Sequence, residues 1–441
     1  MGEVIVFINK YFFGVGVPVL LIVSGMFYCI RLKFFHFFHP IKVIKCLFQR
    51  EKSSGVSSAK AVTLALAGTL GVGNMVGVAS AIALGGAGAV FWLWVSALVA
   101  MILKYAEIVL AMRHRKFDES GRPYGAAMYY IRALFGDRTT GRVIAGVFAA
   151  FCILNALSMG SMIQVNAAAE AMSGVFRIPN IAVGICFALT VLWAMSRGTS
   201  GILGFTEKLV PFMTVGFVIL SVAVLCVYPR GAALAIKTIF SEAFRIENGI
   251  GGVAGFLLSN ALRYGTMRGI LSNEAGCGTA PTAHAVSDCK DPAKQGVWGI
   301  FEVFVDTILL CTLTALVIII SGQGASGDYM MLTISSYASL LGKYAGYFLA
   351  LSVLLFGLAT VLCWGHYGME SVRYFSKKES FKKIFIFIYA FSVVAGSVLS
   401  ADIIWESADF ALGAMTIINL CVLVAMNREV KSETERYFKG R

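Results

Sequence analysis

The 441 residues predict an all-α polytopic membrane protein with eleven transmembrane helices, and three observations carry that prediction. Hydrophobic residues make up 58% of the chain and charged residues only 14%, with a mean hydropathy of +0.79. Soluble domains carry roughly 25% charged residues, so no water-soluble core accommodates the surplus. Apolar runs of spanning length recur from end to end, too long and continuous for barrel strands, and at roughly 20 residues per crossing the composition allows about twelve. Finally, the basic residues fall on alternating connecting segments.

The first run covers residues 11–30. No basic flank or small-residue cleavage site precedes it, so it reads as a retained span. A basic stretch follows, then the glycine-studded run 61–86, which turns over at a short uncharged link into 89–112. After a polar segment come 143–172, 181–195 and 209–227. A mixed, partly amphipathic stretch leads to 252–285, again broken by glycines and polar residues. Runs 297–321, 344–367, 384–399 and 410–425 complete the series. The chain thus divides into residues 1–60 (an N-terminal helix with its basic segment), two halves at 61–228 and 229–427, and a basic tail at 428–441.

The formal charge of +13 raises the question of a nucleic-acid partner, and placement answers it. Of the 37 Lys and Arg, 28 lie on segments predicted to share one side and six on the other, with Lys104, Arg263 and Arg268 inside spans. That asymmetry puts the N-terminus outside and the C-terminus in the cytoplasm of the inner (cytoplasmic) membrane. No nucleic acid is needed. The ten cysteines are scattered singly, with no C-x-x-C pair and no zinc-ligand spacing, so neither a disulfide framework nor a transition-metal site is expected.

Two spans differ from the rest. The second contains Gly68, Gly71, Gly73 and Gly77 with Asn74; the seventh contains Asn273, Glu274, Gly276, Gly278 and Pro281. Glycine costs about 1 kcal/mol per helical residue and proline removes a donor. Unwound backbone at membrane depth is tolerated only where it is buried in protein or lines a cavity. Gly85, Gly86 and Gly88 sit at a turn and read as packing; the two clusters combine glycine with side-chain donors and acceptors and read as functional. Counted from the second span, the broken spans are the first and sixth of ten. Each opens a five-helix half, and an odd number of spans per half requires the second half to be inverted. Discontinuous helices at corresponding positions of inverted halves point to the binding site of a secondary transporter.

These residues carry a resemblance. The run Gly71-Val72-Gly73-Asn74-Met75-Val76-Gly77, with Gly85-Gly86-Ala87-Gly88 and Lys104-Tyr105-Ala106-Glu107, resembles the alanine-or-glycine:cation symporter (sodium:alanine symporter) family. So do Arg263-Tyr264-Gly265, Arg268-Gly269, Ser272-Asn273-Glu274-Ala275-Gly276, Gln164 with Asn166, and Phe356 through Thr360 to Trp364. The resemblance covers nearly the whole chain. It implies a five-plus-five inverted-repeat core behind one extra helix, and sodium- or proton-coupled uptake of alanine or glycine. Val72 and Ala359 stand where the family commonly has Thr and Ser, which removes two hydroxyls.

The resemblance and the chemistry of a zwitterion together suggest roles. Half-helix N-termini attract a carboxylate and freed carbonyls take ammonium or sodium. Gly73, Asn74, Gln164, Asn273, Gly276, Gly278 and Trp364 are expected to bind substrate, with the Trp364 indole capping a small pocket. Leu70, Gly73 and Thr360 are expected to hold sodium. Lys104 and Glu107, three apart on one helix face, read as a structural pair or gate. Glu274 reads as a brace for the unwound segment, with pairing to Arg268 or proton acceptance as the alternatives. His284 reads as a packing or hydrogen-bonding residue. No cofactor is expected, and the expected partners are a small neutral amino acid, sodium and the bilayer. An intramembrane enzyme lacks any H-E-x-x-H or G-x-S-x-G arrangement here, and a channel lacks a pore ring or filter repeat.

Overall fold

A computed structural model describes residues 13–48, 56–136, 138–245, 260–324 and 328–439. The described part is almost entirely helical. In chain order the helices of five residues or more are α1 (Gly14–Arg31), α2 (Pro40–Leu47), α3 (Ser58–Thr69), α4 (Gly73–Gly85), α5 (Ala89–His114) and α6 (Ala127–Leu134). Then come α7 (Thr139–Phe176), α8 (Asn180–Ser196), α9 (Gly198–Val227), α10 (Pro229–Glu242), α11 (Asn260–Asn273) and α12 (Ala280–His284). The chain continues with α13 (Pro292–Ser321), α14 (Tyr329–Leu341), α15 (Lys343–Phe375), α16 (Glu379–Gly396), α17 (Ala401–Ala425) and α18 (Asn427–Lys439). Among the described residues the one departure from an all-α fold is a two-stranded ribbon, Lys116–Phe117 with Pro123–Tyr124, in the polar segment after α5.

Among the described residues, six helices are long and apolar enough to cross a bilayer: α5, α7, α9, α13, α15 and most of α17. The pair α3 and α4 passes together as a seventh, bent by 53° at its break. Helices α1, α8 and α14 are shorter apolar helices. Residues 1–12, with the first two residues of the predicted first span (11–30), and the start of the predicted seventh span (252–259) lie outside the described residues. The sequence has no span at 329–341, yet α14 forms there: Asp328 caps its N-terminus by accepting from the Met331 amide, and Gly342 at φ 85° ends it.

Helix α5 is the axis of the fold. At 26 residues it is about 39 Å long, and 89% of its apolar window is buried inside the protein. It packs on α13, α11, α12 and α1. Helix α9 is the opposite case, with only 28% of its window buried and Phe212, Val215 and Ile219 facing outward. An apolar helix that stays exposed is stable only where lipid is the solvent. Small residues bring α11 against α5: a methyl added to Gly265 would run into the Ala89 carbonyl, and one added to Gly269 into Ser96 Oγ. Those two glycines, four apart, are the close-packing motif of membrane helices.

Candidate functional site

The first break begins where α3 ends. The Gly71 amide turns back on the Thr69 carbonyl at 2.8 Å, and the chain resumes as a π-helical turn at Gly73–Gly77. Side chains from two other helices close on this turn. Gln164 Oε1 accepts the Val72 amide at 3.1 Å while its Nε2 donates to the Met159 carbonyl at 3.2 Å. Thr360 Oγ1 donates to Ala67 O at 2.9 Å and Phe356 O at 3.0 Å. Gly71 is required by this closeness, because a Cβ there would lie 2.6 Å from Gln164 Oε1 and 2.8 Å from Thr360 Oγ1.

Two cavities of about 10 Å³ flank Gly71. One is lined by Gly73, Gln164, Leu271 and Glu274 with Met159, Ile163 and Trp405; the other by Leu70, Asn74 and Met75 with Phe217, Leu310 and Phe356. Each has room for roughly one water.

The second break is held from both ends. Glu274 lies at φ 52°, with Gly276 at 86° and Gly278 at 81°. A non-glycine residue in the left-handed region is strained and needs bracing. Trp364 Nε1 donates to Glu274 Oε1 at 3.1 Å and Thr279 Oγ1 to Oε2 at 2.7 Å. Both carboxylate oxygens are therefore engaged within the protein, as a brace would be. Arg268 is not their partner. Its guanidinium stacks on the Trp405 ring at 4.9 Å, because the turn of chain after α11 carries Glu274 away from it.

Lys104 and Glu107 do not pair with each other either. Each reaches across to the broken helix instead. Lys104 Nζ donates to the Asn273 carbonyl at 2.6 Å and pairs with Glu302 at 3.0 Å. Glu107 Oε1 accepts the Gly278 amide at 2.8 Å and Asn419 Nδ2 at 2.5 Å. The signs suit the helix dipoles: a cation meets the C-terminal end of α11, and an anion meets freed amides ahead of α12. His284 bonds Glu302 at 3.1 Å through Nε2 and Gln295 Nε2 at 2.9 Å through Nδ1. An amide nitrogen only donates, so this orientation of Gln295 makes Nδ1 the acceptor and Nε2 the protonated nitrogen.

The structure thus brings Leu70, Gly73, Asn74, Gln164 and Glu274 to the two cavities, with Thr360 directly behind Gly71. It does not bring the others there. The Gly276 carbonyl accepts Asn419 Nδ2 at 2.9 Å; Gly278 faces Phe148 and Ala127; Asn273 bonds Thr307 Oγ1 and the Ala275 amide. Trp364 is wholly buried behind Glu274, its ring against Gly160. Residues outside the sequence reading complete the site: Glu302, Asp306, Trp405 and Asn419. The first two had a signal, being carboxylates inside an apolar run; Trp405 and Asn419 had none.

The chain is similar along its length to known proteins. A family model for the sodium:alanine symporter family matches residues 1–441. The sodium/alanine symporter AgcS of Methanococcus maripaludis is 34% identical over 441 residues, covering 98% of this chain and 96% of its own. The probable sodium/glutamine symporter GlnT of Bacillus subtilis is 31% identical over 436 residues, covering 95% and 87%. Among solved structures, MhsT in complex with L-phenylalanine has a TM-score of 0.62 at 14% identity, covering 88% of this chain and 93% of that one, a likeness of fold. Matched along its whole length by the family model and by such relatives, this multi-pass membrane chain belongs to the sodium:alanine symporter family.

Proposed function

We propose that the protein is a secondary active symporter that couples inward sodium movement to uptake of alanine or glycine by alternating access. The observation that carries this reading is the meeting of unwound backbone at Gly71–Gly73 with Gln164 and the Glu274 turn around small cavities. Family membership and the names of the relatives support it. Eleven spans in two inverted halves, an outside N-terminus and a cytoplasmic C-terminus complete the proposal, in the inner membrane. Gly73 and Asn74 with Gln164 would face the substrate, joined by Asn273, Gly276, Gly278 and Trp364 as the broken helices rearrange. Leu70, Gly73 and Thr360 would hold sodium through hard oxygens. A six-heavy-atom zwitterion does not fit where about one water does, so its entry requires the segments around Gly71 to part. Large side chains would demand a larger parting, which favours alanine and glycine. Proton coupling, or another small neutral amino acid, is the alternative.

Vesicles containing the protein are expected to accumulate alanine or glycine only with sodium higher outside. Uptake indifferent to sodium but following a pH gradient would replace the coupling ion. Gln164→Ala is expected to lower uptake at least tenfold, roughly the cost of one buried hydrogen-bond partner, with expression unchanged. Wild-type uptake by that variant would remove Gln164 from the site.

A further inference from the structure

Residues 31–48, between α1 and the glycine-studded span, alternate cations with large apolar side chains. Lys33 and Phe34 stand in the left-handed region, at φ 56° and 49°, and turn the chain so that Lys42 of α2 shares a cavity with Arg31 and Lys33. Helix α2 buries Val43 and Cys46, the latter against Tyr437 of α18. Its other side leaves Ile41 and Ile44 exposed; Phe48 at its C-cap is 81% exposed and Phe38 ahead of it 72%. Residues three, four and seven apart share a helix face, so Ile41, Ile44 and Phe48 form one apolar stripe. Lys42 and Lys45 stand between that stripe and the buried side. So much exposed apolar surface marks a lipid contact, and a basic amphipathic helix of this kind lies in the plane of the membrane interface.

The cavity where α1, α2 and α18 meet measures about 160 Å³. Four cations line it, Arg31, Lys33, Lys42 and Lys431, against one carboxylate, Glu435. Lys431 lies 3.9 Å from Glu435, and Arg31 commits only its Nε, to Asn427 Oδ1 at 3.0 Å. Among the described residues Lys33 and Lys42 have no ion-pair partner. Much of the remaining wall is apolar, from Leu32, Phe35 and Phe438. A surplus of positive charge in one cavity repels itself and draws in an anion. Phosphate oxygens accept Lys and Arg N–H groups in short, charge-assisted hydrogen bonds. The cavity also continues a lipid-facing path. Val19, Val23, Met26 and Ile30 are exposed along α1 at spacings of four, three and four, one face of the helix that ends at Arg31.

We propose that the cavity between α1, α2 and α18 binds the phosphate of an anionic phospholipid from the surrounding bilayer. The phosphate sits among Arg31, Lys33, Lys42 and Lys431, and an acyl chain lies along the α1 stripe that ends at Ile30. The apolar wall and the continuity with that stripe favour a lipid over a soluble phosphate, and the charge surplus favours an anionic headgroup over a zwitterionic one. Lys431 belongs to α18 and the other cations to the α1–α2 segment, so a bound lipid ties the tail helix to the extra N-terminal helix. Helix α18 also bonds Tyr105 and Arg113 of α5, so the lipid steadies that end of the central helix. The proposal depends on the membrane setting of the chain and on no property of the transported solute.

Titration of the purified full-length protein in neutral detergent with phosphatidylglycerol or phosphatidylcholine, read by native mass spectrometry, tests this. Wild type is expected to bind phosphatidylglycerol about tenfold or more tightly than phosphatidylcholine. The double variant Lys33→Gln with Lys42→Gln is expected to lose about tenfold or more in phosphatidylglycerol affinity. A control with Lys116→Gln and Arg122→Gln, which removes equal charge from exposed positions after α5, is expected to bind as wild type does. Phosphatidylglycerol is also expected to raise the thermal midpoint of wild type and not that of the Lys33 and Lys42 double variant. Equal affinity in wild type and that variant overturns the proposal, as does an equal loss in the control, which marks non-specific attraction. Phosphatidylcholine bound as tightly as phosphatidylglycerol overturns the anionic headgroup. Displacement of the lipid by millimolar inorganic phosphate assigns the cavity to a soluble anion and overturns it too. Should the double variant fail to fold, Lys431→Gln decides by the same comparison.

Discussion

Glu107 shows how a single buried side chain holds a segment that has no helix to hold it. One of its oxygens takes the Gly278 amide and Asn419 Nδ2, and Asn419 Nδ2 also reaches the Gly276 carbonyl. Removing the carboxylate takes the acceptor from the buried Gly278 amide and leaves Asn419 Nδ2 with the Gly276 carbonyl alone. Glu107→Ala is expected to lower stability by about 1–3 kcal/mol, read as a fall in thermal midpoint in detergent. Glu107→Gln, which keeps the accepting oxygen, is expected to recover most of that loss. Equal midpoints for wild type and Glu107→Ala would refute the role. Trp364 acts in a similar way in this conformer: its indole NH is spent on Glu274, so here its influence on the cavity passes through the carboxylate it braces.

The elements divide into rigid supports and interrupted ones. Helix α5 is continuous, almost wholly buried, and carries the Lys104 and Glu107 contacts that grip both sides of the second break. Helices α3, α4, α11 and α12 are short because glycines and left-handed residues stop their hydrogen-bond ladders. The π-helical turns at Gly73–Gly77, Ser158–Ile163 and Phe304–Cys311 lie beside these interruptions, and such turns concentrate at functional sites. The contact of α11 with α5 depends on Gly265, where an added methyl meets a backbone carbonyl that cannot rotate away. Gly265→Ala is expected to cost about 1–3 kcal/mol by overpacking, measured as thermal midpoint, whereas Gly204→Ala, at an exposed helical position with open space around it, is expected to hold or raise the midpoint.

For the whole molecule, the basic residues set a direction that labelling can check. Lys237 lies on α10 and Lys377 follows α15, on opposite predicted sides. In whole cells, Lys237→Cys is expected to react with a membrane-impermeant thiol reagent, and Lys377→Cys only after permeabilisation. The reverse pattern would invert the proposed topology. Helix α18 joins several parts of the chain: Arg113 bonds Glu429 and Glu433, Tyr105 bonds Thr434 at 2.8 Å, and Cys46 contacts Tyr437 at 3.2 Å. The charged tail is thus a docked helix, an outcome that its charge pattern alone did not indicate.

The sequence by itself determined the class of fold, the places where two helices break, and the residues Leu70, Gly73, Asn74, Gln164 and Glu274 that the structure gathers at the cavities. Those features are local: long apolar runs, glycines at membrane depth and charge asymmetry act through the solvent and the backbone, with no need of a distant partner. Only the tertiary structure decided which groups share a contact. Lys104 pairs with Glu302, two hundred residues away in sequence, and not with Glu107 three residues away. Arg268 stacks on Trp405, and Glu274 is held by Trp364. Such pairings follow from which faces of α5, α11, α13 and α17 meet in a low-dielectric interior, where each buried charge takes the partner that packing brings near. Spacing along one helix carries no record of that.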